Sequence, residues 1–269
     1  MALPPPAPGS TCLVTGASSG IGSELARALA RRGHSLTLVA RRRERLAELA
    51  RDITAAHGVR VEVATCDVAQ PAERDALVKE LEQRELTVEV LCNNAGFGSG
   101  RPFVRLERER ELEMLRVNCE AVVDFCAHYV PPMVDRGRGA VLNVASTASF
   151  QPLPGQSTYA ASKALVLSFT EALHQELRGS GVAVTALCPG PVRTEFVSAA
   201  GMDAVDEATP SFLWASSEHV AEVAVEGLEK GERVVIPGAL NEVGALVGRY
   251  APRGLFLRAA GRFYPVGRE

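Results

Sequence analysis

The sequence lacks several features that would each point to a particular class of function. No run of 18 apolar residues occurs anywhere in its 269 residues, so no segment is suited to cross a bilayer as a helix. The opening MALPPPAPGS has neither a basic start nor an apolar h-region, and it is not read as a secretory signal. Its prolines suggest a flexible lead-in over residues 1–9. There is no CxxC pair, no zinc-like cysteine cluster and no HExxH, so no metal site is expected. Charge is nearly balanced, with 29 basic and 32 acidic residues and a net of −3, which gives no electrostatic case for nucleic acid as a partner. No Pro/Gly/Ser-rich linker is long enough to divide the chain, and no short repeat is present.

What is there is an ordinary globular mixture, 46% hydrophobic and 23% charged, which excludes wholesale disorder. Cys12, Cys66, Cys92, Cys119, Cys126 and Cys188 are scattered, several within apolar runs. They read as small buried hydrophobes in a reducing, cytoplasmic compartment.

Short β-rich runs alternate with helical patterns. Strands are expected at 11–15, 35–39, 59–65, 88–91, 140–144, 182–187 and 233–236. Helices are expected at 20–32, 42–56, 71–84, 108–136, 157–179 and 217–230, with Pro131-Pro132 kinking or ending the fourth. Strands apolar along their whole length are buried on both faces. Alternating with helices, they predict an α/β fold: a doubly wound parallel sheet of Rossmann type, about seven strands, in one domain over 10–237.

The first strand runs into Thr15-Gly16-Ala17-Ser18-Ser19-Gly20-Ile21-Gly22. Gly16 permits a tight turn, while Gly20 and Gly22 permit close approach of backbone to a pyrophosphate and of helix to sheet. The helix beginning near Gly20 aims free N–H groups and the positive end of its dipole at the phosphates. A plain tight turn is the bland reading; the strand–loop–helix context favours dinucleotide binding. At the end of the second strand an NAD site usually places Asp or Glu. This chain has Ala40, then Arg41, Arg42 and Arg43. A guanidinium, Arg41 foremost, could pair with a 2′-phosphate, so NADP(H) is the expected cofactor.

Tyr159 and Lys163 stand at i and i+4 and share a helix face. A phenol is a poor base at neutral pH, and a neighbouring ammonium would lower its pKa. The pair could then exchange a proton with a substrate oxygen. Ser146, just past the fifth strand, could hydrogen-bond the same oxygen, although a serine there could equally cap a helix. Asn118 lies within the long helix and could be no more than a solvated polar position.

Taken together, these residues resemble the short-chain dehydrogenase/reductase family over about residues 10–237. The matches are TGASSGIG at 15–22, CDV at 66–68, NNAG at 93–96, Asn118, Ser146, Tyr159-x-x-x-Lys163 and PGPVRT at 189–194. The resemblance implies that Asp67 and Val68 flank the adenine, and that Asn94, Ala95 and Gly96 support the cofactor wall. It makes Tyr159 the general acid in ketone reduction and the base in alcohol oxidation. Lys163 would bind the nicotinamide ribose and lower the Tyr159 pKa, Ser146 would steady the carbonyl, and Asn118 would anchor a water-linked proton relay. Pro189, Gly190, Val192 and Thr194 would contact the nicotinamide end. The implied activity is NADP(H)-dependent reduction of a carbonyl to a secondary alcohol, in a homodimer or homotetramer. A dinucleotide-binding sensor on the same fold is the alternative; such a protein would be expected to have lost Tyr159, Lys163 or Ser146, and all three are present.

Two segments carry open readings. Residues 191–215, with Phe196, Val197, Met202, Phe212, Leu213 and Trp214, suit a lid over a hydrophobic, lipid-like ketone, or ordinary packing beneath a long loop. In the extension 238–269, Leu240, Val243, Leu246, Val247 and Tyr250 have helical spacing, and five arginines face two glutamates. That stripe either packs on the domain or a partner subunit, or rests on an anionic membrane surface.

Overall fold

The structure is a computed structural model that describes residues 3–196 and 214–261. Seven strands run β1 (Ser10–Thr15), β2 (Leu36–Ala40), β3 (Val61–Thr65), β4 (Thr87–Asn93), β5 (Gly139–Val144), β6 (Val182–Leu187) and β7 (Val234–Val235). All pair in parallel, in the order β3-β2-β1-β4-β5-β6-β7. The helices are α1 (Gly20–Arg31), α2 (Arg43–His57), α3 (Pro71–Gln83), α4 (Arg108–Leu115), α5 (Ala121–Asp135), α6 (Ser157–Glu176), α7 (Ser217–Lys230), α8 (Ala239–Tyr250) and α9 (Arg253–Ala260).

Both faces of the sheet are covered because both sets of alternating side chains are apolar. Cys12 and Val14 of β1, Leu36 and Leu38 of β2, and Val90 and Cys92 of β4 pack with Leu25 and Leu29 of α1, Ile53 of α2 and Leu228 of α7. The intervening Leu13, Val39 and Leu91 turn the other way, onto Leu77 of α3 and Phe125 and Met133 of α5. The helix ends follow local chemistry. Gly58 closes α2 with φ +68°, Pro71 opens α3, and the Ser216 hydroxyl caps α7 by accepting from the His219 N–H at 3.2 Å.

Three expectations need correcting. The single helix over 108–136 is interrupted by a π-helical turn, Arg116–Glu120, with Asn118 at its centre. Pro131-Pro132 does not end the helix, which extends to Asp135. The pyrrolidine ring holds a helical φ, so the helix continues even though each proline lacks an N–H donor and crowds the carbonyl four residues back. The lead-in is laid on the domain from Leu3 onward: Leu3 packs against the core and the Pro5 carbonyl accepts from Arg138.

All six cysteines are free and buried, as expected. Burial pushes the Cys66, Cys92, Cys126 and Cys188 thiols up to about 12, so they are inert at neutral pH. Two asparagines stand opposite each other inside the sheet, Asn93 on β4 and Asn143 on β5. Asn93 Nδ2 donates to Asn143 Oδ1 at 2.9 Å, and Asn143 Nδ2 donates to Thr170 Oγ1 of α6 at 3.0 Å. This chain holds the end of β4 to β5 and α6. Asn143→Ala leaves a buried amide donor without its oxygen acceptor. It should lower stability by about 1–3 kcal/mol in urea unfolding, with the slope of the transition unchanged.

Candidate active site

β1 and β4 are neighbours in the sheet, and the chain leaves them in opposite directions, β1 toward β2 and β4 toward β5. Ligands of such sheets sit beyond the strand ends at this switch point. The predicted residues gather there. Thr15 Oγ1 accepts from the Asn94 and Ala95 N–H groups, both at 3.0 Å, and donates to the Cys92 carbonyl at 3.3 Å. Asn94 Nδ2 donates to the Thr15 carbonyl at 2.9 Å. The NNAG segment is thus pinned to the glycine loop. Gly16 has φ +66°, and a Cβ there would lie 2.9 Å from the Ala95 Cα. A Cβ on Gly22 would meet the Gly16 carbonyl oxygen at 2.4 Å. Ala17 is fully buried and Ile21 packs on the core. Ser19 precedes α1 without a side-chain cap bond, leaving the N–H groups of the first turn open to an anion.

The basic residue at the glycine loop is Arg42, not Arg41. Arg41 is 68% exposed at its side chain, 3.6 Å from Glu113. Arg42 donates to Ser18 Oγ from Nε and Nη2 (3.2 and 3.0 Å), to Ser19 Oγ at 2.9 Å, and to Glu195 at 2.8 Å. Three arginines in a row carry no phase, so the sequence could not select the one turned toward the loop. Ser18 and Ser19, the partners, were the available signal. Arg45 also holds Glu195, at 2.5 Å, and the two guanidiniums draw that carboxyl below its usual range.

Asp67 and Val68 follow β3. The Asp67 N–H donates to Glu73 at 2.7 Å, and Val68 is buried. Past β6, the Pro189 carbonyl accepts from the Thr147 N–H at 2.9 Å. Gly190 lies against Asn241 of α8, and Thr194 against Gly20. Val192 forms a β-bridge with Ala215. Of the expected lid residues, Val197, Met202, Phe212 and Leu213 lie outside the described residues.

Ser146, Tyr159, Lys163 and Asn118 come together between β5, α6 and the π turn. The Ser146 side chain hydrogen-bonds Tyr159 and also accepts from the Ala148 N–H at 3.1 Å, so it caps the short helical turn that follows while touching the phenol. Asn118 is fully buried: Oδ1 accepts from the Phe97 N–H at 3.1 Å, and Nδ2 donates to the Phe97 carbonyl and to Ser162 Oγ, both at 3.0 Å. Ser162 in turn donates to the Tyr159 carbonyl at 2.7 Å. The side chain of Asn118 is therefore consumed in fixing the Phe97 loop and the α6 backbone. Lys163 is 4% exposed, and its Nζ donates to the Val144 carbonyl at 2.8 Å. A Cβ on Gly96 would come within 3.2 Å of that Nζ.

The expected lowering of the Tyr159 pKa by the ammonium is not what this arrangement gives. Burial pushes the phenol up, with the Ser146 hydrogen bond as the opposing influence. Burial also lowers Lys163 to about 8, with Cys119 and Cys188 pulling weakly the other way. The phenol is consequently held in its protonated form at neutral pH. Around it lie Phe97, Met114, Ala148, Leu153 and Phe196, the last with its ring centroid 5.6 Å from that of Tyr159.

The family model described as short chain dehydrogenase matches residues 10–204. The chain belongs to the short-chain dehydrogenase family. Sulfoacetaldehyde reductase 2 of Chromohalobacter salexigens is 38% identical over 186 residues, 68% of this chain and 73% of the relative. Ketoacyl reductase HetN of Nostoc sp. is 34% identical over 194 residues, 72% of this chain and 66% of the relative. A short-chain dehydrogenase from Sphingobium yanoikuyae, solved in complex with NADPH, superposes with a TM-score of 0.79 at 36% identity, covering 92% of this chain and 95% of its own. This is a family of oxidoreductases, and the superposed dehydrogenase shares the fold of the parallel sheet seen here. Among the described residues no group of side chains could hold a metal ion, and no helix is long and apolar enough to cross a membrane.

The contact between Gly22 and the Gly16 carbonyl is the tightest packing in the glycine loop. Gly22→Ala should lower stability by about 1–3 kcal/mol through overpacking, read as a fall in the thermal midpoint.

Proposed function

We propose that this protein reduces a hydrophobic ketone, of acyl or lipid-like character, to a secondary alcohol with NADPH. The observation that carries the reading is the hydrogen-bonded Tyr159–Ser146 pair set into an apolar wall. The glycine loop fits a dinucleotide: its first-turn N–H groups are uncapped, and its glycines let the loop close against Ala95, Asn94 and Thr194. Arg42 suits a 2′-phosphate, and Arg45 is close by; a phosphate of charge near −2 would compete with the single carboxylate of Glu195 for both. Asp67 and Val68 would border the adenine, and Pro189, Gly190, Val192 and Thr194 the nicotinamide.

The nicotinamide, when bound, supplies a hydride to the carbonyl carbon. The chain's own residues act on the oxygen. Ser146 and Tyr159 donate hydrogen bonds to it, concentrating positive potential where negative charge develops. Tyr159 then gives its proton to that oxygen, a step for which a raised pKa keeps the donor loaded. Lys163, charged below about 8, would stabilise the phenolate left behind and bind the ribose hydroxyls. Asn118 positions rather than reacts, by holding Phe97 and, through Ser162, the first turn of α6. The exposed Leu115, Val123 and Leu165 on the helical face of α4, α5 and α6 suit a subunit contact in a homo-oligomer.

Tyr159→Phe should lower turnover of ketone by about 10²–10⁴-fold while dissociation constants for NADPH change little. Retention of a tenth of the wild-type rate would remove Tyr159 from this role. Losing one charge-assisted phosphate contact costs about 1.5–3 kcal/mol. Arg42→Ala should therefore raise the KM for NADPH by roughly 10–100-fold, leave NADH nearly unchanged, and exceed the effect of Arg41→Ala. Equal wild-type efficiency with the two cofactors would reject the NADPH assignment. Reduction should also slow as pH rises through about 8, where Lys163 loses its proton. A Lys163→Arg variant, charged throughout, should lack that fall in its residual activity.

A further inference from the structure

The extension does not bury its apolar stripe on the domain. Leu240, Val243, Leu246, Val247 and Tyr250 of α8 are 51–74% exposed. The opposite face is the one that docks: Ala245 is buried, Asn241 lies under Gly190, and Gly248 lies against Gln151. Turning the stripe inward would unseat all three contacts. A soluble protein has no use for five large apolar side chains in one exposed row without a partner for them.

Charge indicates which partner. Residues 238–269 hold five arginines against Glu242 and Glu269, a net of +3, so the rest of the chain carries −6. Arg253 and Arg258 of α9 are exposed and make no ion pair among the described residues. Arg249 stands at the end of the stripe, 3.9 Å from Glu171, which also holds Arg233 at 3.2 Å. An isologous contact with a second copy would bring the exposed Arg253 and Arg258 of both copies to the same seam. An anionic surface that also accepts apolar side chains satisfies both features at once.

We propose that α8 and α9 seat this protein on an anionic lipid bilayer, with the α8 stripe inserted at the headgroup level and the arginines against the lipid phosphates. The location bears on the reaction proposed above. Arg253 and Leu257 of α9 line a groove with Leu153 and Pro154, and Leu153 belongs to the apolar wall around Tyr159. α8 itself braces the segment after Ser146 through Gly248 and Gln151. A hydrophobic ketone partitioned in the bilayer would reach the crevice from this side. The membrane contact does not require that reading, and binding without turnover tests it separately.

The experiment is co-sedimentation of the full chain, without cofactor or substrate, with phosphatidylcholine vesicles and with vesicles containing phosphatidylglycerol. The protein should pellet with the anionic vesicles at low salt, stay in solution with phosphatidylcholine alone, and be released by high salt. Val243→Gln/Val247→Gln should weaken partitioning at least tenfold, with its thermal midpoint and sedimentation coefficient unchanged in the absence of lipid. Arg253→Gln/Arg258→Gln should weaken it by about five-fold per arginine. Absence of pelleting with anionic vesicles at low salt overturns the proposal. So does pelleting that the Val243/Val247 variant leaves unchanged. A smaller oligomer for that variant in the absence of lipid overturns it as well, because a second copy is then what covers the stripe.

Discussion

The site depends on burying an ammonium group and a phenol together at the end of a parallel sheet. Lys163 and Tyr159 lie one turn apart on α6, and both are taken almost entirely out of water. Burial disfavours the charged form of each group. It therefore keeps the phenol protonated and brings the lysine within reach of neutral pH. Few hydrogen bonds offset the cost: the Val144 carbonyl for the lysine and Ser146 for the tyrosine. A pair so placed responds strongly to any charge that arrives beside it, since the surroundings screen little.

The rest of the molecule keeps that pair in place. β5 ends at Val144, whose carbonyl holds the lysine, and Ser146 follows two residues on. The Asn93–Asn143–Thr170 chain locks β4, β5 and α6 into one unit below the site. The π turn at Asn118 adds a second tie, from α6 through Ser162 to the Phe97 loop. A widened helical turn points a side chain where a regular α-helix would not, and such turns are frequent at functional sites. On the other side, Thr15 and Asn94 bind the glycine loop to the end of β4. The glycine loop and the Ser146–Tyr159–Lys163 cluster are thus tied to the same end of the sheet.

Much of this was legible in the sequence because it rests on short-range chemistry. The two-sided apolar strands predicted the buried parallel sheet, and TGASSGIG between strand and helix predicted the loop that the structure shows. Other features required three-dimensional information. A π turn needs only one extra residue in a helix, and RVNCE has no composition that marks it. Arg41 and Arg42 differ only in the direction each leaves the turn after Ala40. The direction of the Tyr159 shift depends on burial, which an i,i+4 spacing does not reveal. The apolar row of α8 was visible as a row, but whether it faced inward depended on Ala245, Asn241 and Gly248 being small enough to dock the opposite face.

Tyr159 rests as a phenol because burial outweighs the influences that would ionise it. Ultraviolet difference titration near 295 nm, wild type minus Tyr159→Phe, reads the ionisation of this one tyrosine in the folded protein. No phenolate signal from it is expected between pH 6 and about 9, with ionisation only above the ordinary tyrosine value of about 10. A phenolate signal already complete by about pH 8 in the free protein would contradict it.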